Sequence, residues 1–143
     1  VGKRGVVPML DISNLSNSKF TAKTAKAVWV PNRNMVFIAI TTAIAESMGC
    51  RLVITGFNSE EAATFPDNSA AFVEAINKTL EYSSAKKIEV FSFTQNQTKK
   101  QIVKLGILYK APLKYAYSCY LGGKKQCGRC ESCVRSLRAF SLI

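Results

Sequence analysis

The stretch PNRNMVFIAITTAIAESMGCRLVITGF, residues 31–57, reads as a helix delivered into a strand. Pro31-Asn32 suits an entry turn, and residues 33–48 are apolar almost all round, which predicts a helix buried between neighbours. Gly49 suits the stop. Arg51-Leu52-Val53-Ile54-Thr55-Gly56-Phe57 is a short apolar run rich in β-branched residues, as in a buried strand. Cys50, between the two, is expected to be an inert buried thiol.

The same alternation continues downstream. Residues 58–65 read as a connection, and Pro66 suits the first turn of a helix carrying Phe72, Val73, Ile76, Thr79 and Leu80 at helical spacing over 67–82. Lys87-Ile88-Glu89-Val90-Phe91-Ser92-Phe93 alternates as a second strand. Thr98 can cap a further helix with Ile102, Val103 and Leu105 inward and Gly106 near its end. Upstream, Val6–Ile12 reads as a short extended segment and residues 13–27, rich in Ser, Asn, Thr and Lys, as a loop. Strand–helix alternation of this kind implies an α/β fold with a parallel sheet. Ligands of such sheets bind beyond the carboxyl ends of the strands, which points to Gly56-Phe57-Asn58 and the loop beyond it.

Composition narrows the class. With 143 residues, 48% of them hydrophobic, the chain fits one globular domain, and no apolar run reaches the ~20 residues that span a bilayer. The opening Val1-Gly2-Lys3-Arg4-Gly5 lacks a signal-peptide layout and is read as the start of a fragment or a processed chain. The net charge of +11 favours an anionic partner, either a nucleotide, RNA or an acidic small molecule. Against that stands a merely solvated basic surface, because the Lys residues are scattered and the densest groups are only Lys99-Lys100 and Lys124-Lys125.

Four of the five cysteines crowd into Cys119, Cys127, Cys130 and Cys133, a C-x7-C-x2-C-x2-C spacing, and there is no His. Four thiolates satisfy tetrahedral zinc, and a closed ligand set makes the metal structural. Gly122, Gly123 and Gly128 allow tight turns, and Lys124, Lys125, Arg129 and Arg135 offset the excess thiolate charge. Two disulfides, an iron–sulfur cluster and unligated thiols are the competing readings; strained C-x2-C pairs and an intracellular context count against disulfides. Tyr117 and Tyr120 are expected to pack around this lobe.

Taken in order, Val30-Pro31-Asn32-Arg33-Asn34, Gly56-Phe57-Asn58, Phe65-Pro66-Asp67, Ser118-Cys119-Tyr120 and Cys127-Gly128-Arg129-Cys130-Glu131-Ser132-Cys133 resemble the 7-cyano-7-deazaguanine synthase family, especially its archaeal members, over nearly all of residues 6–140. The resemblance implies an adenine-nucleotide alpha-hydrolase-like (Rossmann-like) three-layer α/β domain, here expected as a partial nucleotide and substrate domain over 1–108 and a C-terminal zinc lobe over 109–143. It implies an ATP-dependent carbon–nitrogen ligase that turns 7-carboxy-7-deazaguanine and ammonia into the nitrile for queuosine or archaeosine in tRNA. It also implies one structural Zn2+ on Cys119, Cys127, Cys130 and Cys133, Mg2+ with the ATP, a homodimer and a cytoplasmic location.

The family's Ser-Gly-Gly-x-Asp-Ser pyrophosphate loop is absent from residues 1–143, and position 32 is Asn where many relatives have Gly. The chain by itself is therefore expected to be inactive. Candidate substrate or nucleotide contacts are Arg33 and Asn34 at a helix start, Asn58 and Glu61 after the first strand, and Phe65 and Asp67 at the next helix start. Each has a plainer reading as a cap, a loop hydrogen bond or an ion pair, and Lys99 and Lys100 read as solvated. No general base is assigned. The alternative from another class is a non-catalytic zinc module that binds nucleic acid, resting on the charge and the cysteine cluster.

Overall fold

The computed structural model describes residues 7–9, 24 and 27–141. Most of the expected segment 6–12 and loop 13–27 lies outside the described residues. Two compact units are present, one of Val30–Thr98 and one of Val1–Trp29 with Lys99–Ile143.

In the first unit, Asn32 takes the left-handed conformation at φ 58°, which its short polar side chain tolerates, and turns the chain into α1 (Arg33–Ser47). Gly49, at φ 75°, comes just after its end. Strand β1 (Leu52–Ile54) then pairs in parallel with β2 (Glu89–Phe91), Val53 opposite Val90. The ladder runs slightly past both ends, Glu89 N–H donating to Arg51 O at 3.0 Å and Thr55 N–H to Phe91 O at 2.8 Å. Both strands are shorter than the sequence pattern implies. At the start of β2, Lys87 has φ 51°, a conformation no strand residue adopts, so pairing begins only at Glu89.

Asn58 caps a short helix, α2 (Ser59–Ala62), where the sequence pattern implies only a connection. A 3-10 turn (Pro66–Asn68) with Pro at its start leads to α3 (Ala70–Ser83), whose cap is Ser69 Oγ accepting from Phe72 N–H at 3.1 Å. The core of this unit joins Ile38 and Ala45 of α1, Val53, Phe57, Ile76 and Leu80 of α3, Ile88 and Val90. Helix α1 is not buried on all sides as its composition suggests. Asn34, Ile38, Thr42 and Ala45 form its buried stripe, while Val36, Phe37, Ile40 and Ile44 are at least half exposed. Within these residues only one of its faces meets the sheet. Cys50 is likewise exposed rather than buried, because it lies between the helix stop and the strand start.

In a parallel pair, alternate residues of a strand point their backbone groups to opposite edges. Glu89 and Phe91 bond to β1, so Val90 points its N–H and C=O the other way. Asn77 of α3 takes both: its Nδ2 donates to Val90 O at 3.0 Å and its Oδ1 accepts from Val90 N–H at 2.8 Å. One helix side chain thus stands in for a neighbouring strand at a residue with no solvent exposure.

The second unit contains α4 (Lys99–Leu108), a 3-10 turn (Leu113–Tyr115) and α5 (Glu131–Ser141), with α4 packed on α5. Gly106 lies in the last turn of α4, near its end as expected, and a Cβ there would come within 2.9 Å of Leu113 Cδ2, so glycine lets the returning chain close on the helix. Helix α5 carries an internal ion pair, Arg135 Nη2 to Glu131 Oε1 at 2.7 Å. No helix among the described residues is long and apolar enough to cross a membrane.

Replacing Asn77 with Ala removes both partners of the Val90 backbone groups. Asn77→Ala is expected to lower unfolding stability by about 1–3 kcal/mol, measured by chemical denaturation.

Candidate metal centre

The C-x2-C turn follows from local geometry. Gly128 sits at φ 72°, a left-handed position that glycine enters without penalty, and this curls the next backbone N–H groups back toward Cys127. Cys130 N–H points at Cys127 Sγ at 3.2 Å, and Cys127 N–H at Cys119 Sγ at 3.5 Å. Cys133 comes one turn into α5, and Gln126 ties the loop back by accepting from the Ser118 N–H and Oγ at 3.1 and 2.8 Å. The short upstream segment closes over the turn, Met9 bridging to Cys130 and Glu131 N–H donating to Pro8 O at 3.0 Å.

The four Sγ atoms all lie within 4.8 Å of one another, and Cys119, Cys130 and Cys133 are buried. Zinc–sulfur bonds of about 2.3 Å in a tetrahedron place the sulfurs about 3.8 Å apart. The Cys127 and Cys133 sulfurs are 3.9 Å apart, so the donor set fits one such ion. All five cysteines are free, which removes the disulfide reading. Sulfurs this close surround a single ion, whereas a multi-iron cluster spreads its thiolates over separate irons. The four-cysteine cluster is consistent with a zinc site.

The thiols are unequal. The N–H of Cys127 holds Cys119 down to about 6 from the usual 9.0. The N–H of Arg129 lowers Cys127, while burial pushes Cys133 up to about 12. Backbone N–H groups thus favour the anionic form of Cys119 and Cys127, and Cys133 becomes a thiolate only by exchanging its proton for a metal.

The other expected site residues lie in the first unit, at the carboxyl ends of β1 and β2. Arg33 Nε and Nη2 each donate to Asn34 Oδ1 at 3.2 Å, and buried Asn34 donates to Asp67 O at 3.1 Å. Asn58 is buried and its Oδ1 accepts from Glu61 N–H at 3.1 Å, while Phe65 N–H donates to Glu61 O at 2.7 Å. The structure therefore links Arg33, Asn34 and Asp67 in one chain of contacts and Asn58, Glu61 and Phe65 in another.

Sequence reasoning overlooked a polar group after β2. Ser92 and Thr94 hydroxyls donate to Phe57 O at 3.0 and 2.6 Å, and Gln95 Nε2 donates to the carbonyl of buried Asn68 at 2.8 Å. Gln95 Oε1 is a buried acceptor with no donor among the described residues. Applying the strand-end rule to β2 as well as β1 would have singled these residues out.

Comparison with known proteins points the same way. A family profile described as queuosine biosynthesis protein QueC matches residues 8–143. The chain is 48% identical over 139 residues to the 7-cyano-7-deazaguanine synthase of Pelotomaculum thermopropionicum, covering 97% of this chain and 63% of that one. It is 50% identical over 126 residues to the enzyme so named in Carboxydothermus hydrogenoformans, covering 88% and 59%. With the one so named in Methanosarcina mazei it shares 47% over 133 residues, covering 93% and 58%. The chain spans about 60% of the length of these curated relatives.

Two outcomes are expected of the cluster. Cys130→Ser should lose the metal, read by elemental analysis, because the buried position then offers a poor ligand. Zinc affinity, read by chelator competition, should fall as pH falls, since protons compete for every sulfur; the fall should steepen below about pH 6, where Cys119 is protonated as well.

Proposed function

The chain belongs to the QueC family, and on that premise we propose that its protein is an ATP-dependent carbon–nitrogen ligase making 7-cyano-7-deazaguanine from 7-carboxy-7-deazaguanine and ammonia. The observation that carries this reading is identity of 47–50% to three relatives named 7-cyano-7-deazaguanine synthase, across 88–97% of this chain. The polar groups gathered where β1 and β2 end support it, because parallel sheets bind ligands there. The reading includes an adenine-nucleotide alpha-hydrolase-like fold, a substrate part within residues 1–108, a zinc lobe over 109–143, a homodimer and a cytoplasmic location.

Bound ATP, with Mg2+, supplies the activation that makes first a carboxylate oxygen and then an amide oxygen leave. The residues of this chain bind and orient. Arg33, at the start of α1, holds an anionic carboxylate or phosphate, reinforced by the positive end of the helix. Asn34 fixes that guanidinium through Oδ1 and ties it to Asp67. Phe65 offers a face for stacking a planar heterocycle, and Asp67 accepts from its N–H groups. Gln95 Oε1, orphaned and oriented by its amide's bond to Asn68, is a further acceptor for such a group. Asn58 and Glu61 set the floor through the α2 cap. One zinc ion on Cys119, Cys127, Cys130 and Cys133 holds the C-terminal lobe and takes no part in the chemistry.

The zinc-loaded native protein is expected to form the nitrile from the acid, ammonia and ATP, detected by mass spectrometry, and to form none without ATP. Absence of product would contradict the ligase reading. Arg33→Ala should lower kcat/KM by about 10- to 100-fold, the worth of one charge-assisted hydrogen bond.

A further inference from the structure

The charge of the chain is not evenly spread. Residues 99–143 hold ten of the twenty Lys and Arg but only one of the nine acidic residues, so +9 of the +11 lies in under a third of the sequence. That segment also holds four of the five Tyr, and none is buried: Tyr109 is 76% exposed, Tyr115 74%, Tyr117 50% and Tyr120 48%.

Local geometry brings the two residue types together. Lys114 Nζ lies over the Tyr115 ring, 4.9 Å from its centroid. Tyr117 Oη donates to Gly123 O at 2.7 Å, which fixes that ring beside the exposed Lys124-Lys125 pair. Gln126 Nε2 donates to Ala116 O at 3.3 Å and clasps the Tyr115–Tyr117 stretch to the lysine loop. Even with zinc on four thiolates, which leaves about two negative charges at the centre, the segment stays strongly positive.

We propose that this lysine- and tyrosine-bearing surface of the cysteine lobe, formed around Lys110, Lys114, Tyr115, Tyr117, Lys124 and Lys125, binds a single-stranded polynucleotide. Exposed rings offer stacking faces to unpaired bases, and the lysines interleaved with them in the sequence offer cations to the phosphates of a strand. A second copy of the chain is the wrong occupant, since a self-facing contact would press two such positive surfaces together. None of the six residues belongs to the cysteine set or to the polar groups at the strand ends, so the surface stands apart from the ligase reading and does not depend on it.

The test is fluorescence anisotropy of the zinc-loaded chain with a labelled twelve-nucleotide oligouridylate at graded salt. Expected is binding whose log K falls with log salt at a slope of about −3, as for four phosphate contacts. Lys124→Gln with Lys125→Gln should flatten the slope by about 1.4, and Tyr115→Ala should weaken binding about tenfold. Tyr117→Ala is the second stacking probe, and unchanged zinc content certifies that each variant is folded. Millimolar ATP with Mg2+ should leave binding intact. No binding at 50 mM salt, equal affinity for a duplex with no effect of either Tyr substitution, or displacement by ATP would each overturn the proposal.

Discussion

Everything in the C-terminal unit depends on four sulfurs meeting at one point. Among the described residues of that unit, the buried apolar side chains besides the cysteines are Val103, Val134 and Ala139. At about 1.5–3 kcal/mol for a fully buried side chain the size of valine, these three contribute little against the chain entropy of the segment. A zinc ion on the four sulfurs would supply an apparent ~10–16 kcal/mol, the larger contribution. The sulfurs come from separate places: Cys119 before the lysine loop, Cys127 and Cys130 from the turn, and Cys133 from α5. Joining them closes the loop, sets the start of α5 and seats the Met9 segment against the turn.

The Val30–Thr98 unit rests on a different constraint, the satisfaction of buried backbone. Its sheet has only two strands among the described residues, so Val90 would carry an unpaired N–H and C=O into the core. Asn77 answers both groups and locks α3 against β2. With the strands thus placed, the connections leaving their carboxyl ends converge. Asn34, Asn58, Asn68 and Ser92 are buried polar side chains gathered there, and each has a hydrogen-bond partner. A polar, pre-set surface of this kind suits recognition more than stability.

Legibility in the sequence followed local rules. The C-x7-C-x2-C-x2-C spacing crowds four ligands into fifteen residues, so the cluster of Cys119, Cys127, Cys130 and Cys133 was readable from local spacing. Alternation in Lys87–Phe93 located β2 but overstated it, because the positive φ of Lys87 leaves no trace in an apolar pattern. Helix α5 went unseen since Cys130 and Cys133 drew the reading toward ligands, although Glu131 and Arg135 stand at ion-pair spacing. The exposure of Cys50 and of Val36, Phe37, Ile40 and Ile44 was misread for one reason: composition gives the number of apolar residues but not which neighbours cover them. Ser92, Thr94 and Gln95 were missed because their partners, Phe57 and Asn68, lie tens of residues away in sequence.

Zinc-edge X-ray absorption of the purified protein tests the central claim most directly. Four sulfur neighbours at about 2.3 Å, with one zinc per chain, is the predicted result. Nitrogen or oxygen scatterers in the first shell, iron in place of zinc, or a folded protein without metal would contradict it.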